Sequence, residues 1–70
     1  MNTKSRRLNR IKLALVETGH SGVWLAQQLG KDPATVSKWC TNTTQPDLYT
    51  FERIAKLLNI PIRNLIADNV

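Results

Sequence analysis

Gly19, Gly30, Pro33, Pro46 and Pro61 cut the chain into short stretches. Glycine takes up the left-handed backbone on which helices end, and proline, which has no amide hydrogen, is tolerated in a first helical turn but not inside a helix or a central strand. Within each stretch the apolar residues recur at helical steps rather than alternate, so the pattern predicts five short helices and no strands.

In the first stretch Leu8, Ile11, Leu15 and Val16 form an apolar stripe opposite Arg7, Arg10, Lys12 and Glu17, and Gly19 ends it. Ser21 stands where an N-cap is wanted, and Val23, Trp24, Leu25, Ala26 and Leu29 make a second helix closed by Gly30. Asp32 caps a third, whose first residue is Pro33 and which runs to Trp39 or Cys40. After the polar stretch Thr41 to Gln45 and Pro46, Asp47 caps a fourth helix carrying Leu48, Phe51, Ile54, Ala55 and Leu58. Beyond Asn59 and Pro61, Ile62, Leu65 and Ile66 form a last turn or two that packs back on the core.

Seventy residues, 41% of them hydrophobic, are enough for a single domain with one core, spanning about 8–66 behind a basic arm of residues 1–7. A domain of about 60 residues buries only ~60% of its unfolded surface, so stability alone is marginal and dimerisation or DNA adds to it. Ten Lys and Arg against five Asp and Glu leave a net charge of +5, which suits a polyanionic partner such as nucleic acid, although a merely basic soluble protein has the same balance. The lone Cys40 forms no internal disulfide, and no His or Cys cluster offers a metal site. The apolar run Ile11 to Val16 is broken by Lys12 and is far short of the ~20 residues of a membrane span. Lys4, Arg6 and Arg7 resemble the start of a signal peptide, but Asn9, Arg10, Lys12 and Glu17 follow where an apolar segment belongs, so a cytoplasmic protein is expected.

The segment Gly22 to Trp39 carries the most information. Two short helices that meet closely need a small residue at the contact, a turn residue tolerant of positive φ, and apolar anchors on the second helix. Ala26, Gly30, Val36 and Trp39 supply these in order, with Leu25 and Leu29 completing the buried side of the first helix. This is the pattern of a helix-turn-helix, and it leaves Ala34, Thr35, Ser37 and Lys38 off the buried face and free to enter a groove.

The stretch LAQQLGKDPATVSKW, the polar loop TNTTQP and the later IAKLLNIP together resemble the phage repressor-like regulators, the lambda-repressor and Cro-like group also called the xenobiotic response element family. The resemblance runs from about Leu8 to Leu65. It implies an all-α bundle of four to five short helices, sequence-specific binding of double-stranded DNA, and a homodimer whose recognition helices enter successive major grooves. In that arrangement Ala34, Thr35, Ser37 and Lys38 read bases, while Ser21, Gly22, Lys31, Thr41, Asn42, Thr43 and Thr44 lie along phosphates. Two positions depart from the family pattern. Gly22 stands where many members place a phosphate-contacting Gln, and Pro33 with Ala34 replaces paired polar residues at the front of the recognition helix. Readout then falls on Thr35, Ser37 and Lys38, with Ala34 able to touch a thymine methyl.

Plainer readings exist for several of these residues. Lys38 is either a guanine or phosphate donor or a solvated lysine, and Thr35 and Ser37 either meet the duplex or merely face water. Asn42, where the family often has glycine, is expected in the left-handed conformation, with amide and hydroxyl donors of its loop turned to phosphate oxygens. Trp39 and Phe51 read as core, Cys40 as a small apolar residue at a helix end, and Trp24 as packed on the first helix or half-exposed. His20, Asp47, Glu52 and Cys40 share no helix face and form no catalytic motif, so neither catalysis nor a cofactor is expected. The reading is a DNA-binding regulator such as a small Cro-like repressor or a controller protein. The alternative is an antitoxin-type module that neutralises a protein partner and binds DNA secondarily.

Overall fold

A computed structural model describes residues 7–67. Its elements are α1 (Ile11–Thr18), α2 (Gly22–Leu29), α3 (Pro33–Cys40), α4 (Leu48–Leu58) and a 3₁₀ turn (Ile62–Leu65). Among the described residues the only strand-like pairing is an isolated antiparallel bridge between Asn9 and Ile66. Residues 1–6 of the basic arm lie outside the described residues, and Arg7 is exposed.

Every α-helix stops in the same way. Gly19, Gly30, Asn42 and Asn59 have φ of 77°, 67°, 61° and 57°, the left-handed conformation that lets the following amide turn back onto the helix. The His20 amide donates to the Leu15 carbonyl at 2.8 Å, Lys31 to Ala26 at 2.9 Å, Thr43 to Lys38 at 2.9 Å and Ile60 to Ala55 at 3.0 Å. The starts are equally local. The Trp24 amide donates to Ser21 Oγ at 3.0 Å, Ala34 to Asp32 Oδ1 at 2.9 Å and Thr50 to Asp47 Oδ1 at 2.8 Å. For α1 the corresponding acceptor is Asn9 Oδ1, 2.9 Å from the Ile11 amide.

One apolar cluster joins Ile11, Ala14 and Leu15 of α1, Leu25, Ala26 and Leu29 of α2, Val36 and Trp39 of α3, Phe51, Ile54, Ala55 and Leu58 of α4, and Leu65 of the 3₁₀ turn. Ile11, Leu25, Val36, Ile54 and Leu65, one from each element, are wholly inaccessible. Burying a side chain of this size contributes ~1.5–3 kcal/mol, so each element is held by at least one strong anchor.

The expected stripes shift at their ends. Helix α1 begins only at Ile11 because Arg10 has a non-helical backbone, which leaves Leu8 off the helix and moves the buried face to Ile11, Ala14 and Leu15. Leu8 and Val16 are therefore exposed. Val23 and Leu48 sit in the first turns of their helices and face outward, and Ile66 follows the 3₁₀ turn in extended backbone with its side chain exposed, so Leu65 and Ile62 alone pack back on the core. No described helix is long and apolar enough to cross a membrane.

Candidate nucleic-acid interface

Helices α2 and α3 form a tight pair. Ala26 is 1% exposed, so a larger or charged side chain finds no space, and Gly30 makes the left-handed turn between the helices. Leu25 and Leu29 on one helix and Val36 and Trp39 on the other are buried and fix the orientation of α3. Asp32 accepts at its backbone carbonyl from Thr35 and Val36, at 2.9 and 3.3 Å, while its side chain caps Ala34, so the front of α3 is held without using Ser37 or Lys38.

With Val36 and Trp39 turned inward, α3 presents Ala34, Ser37 and Lys38 to solvent and leaves Thr35 half-buried. Among the described residues no hydrogen bond engages the Ser37 hydroxyl or the Lys38 ammonium. Such groups are available to a ligand without first breaking an internal contact.

Beside α3 lies an open cleft of about 350 Å³, walled by Lys12 of α1, by His20, Ser21 and Gly22 at the start of α2, and by Ser37 and Thr41 of α3 and its end. A Cβ added at Gly22 meets Val36 Cγ1 at 3.7 Å, an ordinary contact, so the glycine is not forced by crowding and its backbone is simply left bare at the mouth of the cleft. The His20 ring stacks on Trp24 with centroids 3.6 Å apart and planes 12° from parallel, which places the half-buried Trp24 on the turn before α2. Lys12 and His20 were not among the sequence-derived site residues. Lys12 is brought to the segment by the tertiary packing of α1, whereas His20 directly precedes the α2 cap Ser21. Cys40 also lines this cleft, half-buried, and burial pushes its thiol pKa up, with Lys12 pulling weakly the other way.

The loop after α3 corrects one expectation. Asn42 is left-handed, but its side chain is turned into the protein instead of toward a phosphate. Its Oδ1 accepts the amides of Leu8 and Asn9, both at 2.8 Å, and Gln45 Nε2 at 3.3 Å, while Nδ2 donates to the Asn9 carbonyl at 3.2 Å. The backbone amides of the loop are engaged too: Thr41 donates to Ser37, Asn42 to Trp39, and Thr43 and Thr44 both to Lys38. Unsatisfied carbonyls at a helix end draw in nearby amides, and here they take those of Thr41, Asn42, Thr43 and Thr44. The hydroxyls remain. Thr41 and Thr43 share a 2.8 Å hydrogen bond, Thr41 also donates to the Lys38 carbonyl at 3.2 Å, and Thr44 is exposed. Lys31 is exposed in the turn between α2 and α3. Among the described residues no group of three or more His, Cys, Asp and Glu side chains is placed to hold a metal ion.

Comparison with known proteins agrees with this geometry. A family model described as helix-turn-helix matches residues 11–65, which takes in all four α-helices and the 3₁₀ turn. The crystal structure of a "putative DNA-binding protein" from Bacteroides fragilis is similar with a TM-score of 0.85 and 47% sequence identity, over 86% of this chain and 97% of that one. None of the curated proteins matches. The all-α bundle, the α2–α3 pair and a family match covering most of its length together show that this chain belongs to the helix-turn-helix family of the Cro and xenobiotic-response-element type.

Proposed function

We propose that the protein is a sequence-specific regulator of transcription that binds double-stranded DNA through α3. The observation that carries this reading is the outward face of α3, where Ala34, Ser37 and Lys38 are exposed on a helix anchored by Val36 and Trp39. A major groove ~12 Å wide admits one α-helix, and a lysine or hydroxyl on its outer face reaches base edges there. Thr35, Ser37 and Lys38 supply hydrogen bonds and Ala34 packs on a thymine methyl. Lys31, the Ser21 hydroxyl, the Gly22 amide and the hydroxyls of Thr41, Thr43 and Thr44 then set the register along phosphates. The surplus of basic residues draws the duplex in before any base is read.

The regulatory role that best fits is that of a small Cro-like repressor or controller protein acting as a homodimer. Leu48 and Tyr49, 71% and 67% exposed and adjacent at the start of α4, provide apolar surface for the second copy. The same pair is what an antitoxin would offer to a foreign protein. Binding-site selection from random duplex DNA, followed by sedimentation of the pure chain, tests both. A two-fold consensus with half-sites about one helical turn apart and a self-associating chain support the regulator. Absence of any enriched sequence overturns it.

A further inference from the structure

Asn9 is 1% exposed, a carboxamide sealed into the bundle at the start of α1. Burying such a group is unfavourable unless its polar atoms find partners, and here both do. Its Oδ1 accepts the Ile11 amide at 2.9 Å, and its Nδ2 donates to the Trp39 carbonyl at 2.9 Å and to Gln45 Oε1 at 2.7 Å. Its backbone amide and carbonyl are both held by the Asn42 side chain. Among the described residues no buried side-chain nitrogen or oxygen lacks a partner.

We propose that Asn9 is a positioning residue for duplex binding, which fixes the end of α3 and the loop Thr41 to Thr44 against the start of α1 through Trp39, Asn42 and Gln45. The inference rests on the DNA-binding reading above and deepens it. Apolar anchors such as Val36 and Trp39 hold α3 to the core, but hydrophobic attraction is non-directional and tolerates small sliding and rotation. Contacts to bases and phosphates form only within a narrow range of distance and angle, and they need supporting bonds that lock the helix to a fraction of an ångström. Asn9 supplies directional bonds at the half of α3 farthest from the α2 turn. It is itself a fixed post: Arg10 donates to the Leu65 carbonyl at 2.8 Å and Ala67 to the Leu8 carbonyl at 2.9 Å, which tie its neighbours to the 3₁₀ turn. The polar cluster therefore couples three separate parts of the chain at the place where Lys38 and the threonine hydroxyls emerge.

Two variants isolate this role. Asn9→Asp keeps an oxygen for the Ile11 amide and removes the donor to Trp39 and Gln45 but adds a buried negative charge, so where the two variants differ the uncharged Gln45→Met decides. Gln45→Met keeps bulk at a half-buried position and removes the other end of that bond. Both are compared with wild type for affinity to the duplex selected by the wild-type chain, at a temperature where circular dichroism shows each fully native. Fully folded variants that bind on the order of tenfold more weakly support the positioning role, since a lost directional bond is worth about that ratio. Native variants with wild-type affinity overturn it and leave Asn9 a purely stabilising residue. Should Asn9→Asp fail to fold, Gln45→Met decides on the same terms. A wild-type chain that binds no duplex removes the DNA-binding reading, and the proposal falls with it, a result distinct from a binding wild type whose variants match it.

Discussion

The side-chain oxygen of Asn42 accepts the backbone amide of Asn9 at 2.8 Å across 33 residues of chain, from a residue whose own φ is 61°. Two demands thus meet at one position: a left-handed backbone to end α3, and a carboxamide to hold the start of α1. Substitutions separate them. Asn42→Gly keeps the backbone freedom and loses the bonds, whereas Asn42→Ala loses both, and left-handed backbone costs a residue with a Cβ about 1–2 kcal/mol. Thermal melts should rank wild type above Asn42→Gly and Asn42→Ala lowest. Equal melting of all three would mean that neither demand matters.

The N-cap of α4 makes a pH-dependent contribution. Hydrogen bonds from Thr50 hold the Asp47 carboxyl pKa below its ordinary value against desolvation, which raises it, and Lys31 adds a lesser lowering. A carboxylate whose pKa is depressed by folding stabilises the fold above the unfolded-state pKa, and that stabilisation is lost as pH falls through the folded-state value. Asp47→Ala should therefore melt below wild type at neutral pH, and the gap should close as pH drops below about 4. A gap that persists unchanged into acid would contradict the cap assignment.

Ala26 sits where α2 and α3 approach each other, and Ala26→Glu places a carboxylate at a position only 1% exposed. An unpaired buried charge costs about 3–5 kcal/mol, a large part of the 5–15 kcal/mol that stabilises a typical domain. The variant should be unfolded or melt far below wild type in calorimetry. Unchanged melting would place Ala26 away from the helix contact.

The caps and turns were legible in the sequence because each acts within a few residues of itself. Ser21, Asp32 with Pro33, and Asp47 bond amides of their own first turns, and Gly19, Gly30 and Asn42 set their own φ. The inward faces of α2, α3 and α4 were legible for the same reason, apart from first-turn residues such as Leu48, whose burial depends on a neighbour rather than on helical phase. Side-chain partners across the fold were not. Asn42 and Asn9 are both polar and far apart in sequence, so nothing local distinguishes their buried cluster from two surface amides. Lys12 joined the cleft beside α3 only when α1 packed against it.

Lys38 offers the sharpest separation of reading from holding. Its ammonium is exposed on the outer face of α3, where loss of a good base contact removes about 1–3 kcal/mol of discrimination. Lys38→Ala should change the base preference at a defined position in binding selections. Weaker binding with unchanged preference would assign the lysine to a phosphate, which is the same at every step.

The most direct test of the account is the salt dependence of binding to the selected duplex, followed by fluorescence anisotropy from low to moderate ionic strength. Each phosphate neutralised by Lys or Arg contributes about −0.9 to the slope of log K against log salt, so binding through α3 and its basic surroundings predicts a steep negative slope. A flat response, or no binding to any duplex at low salt, would contradict it.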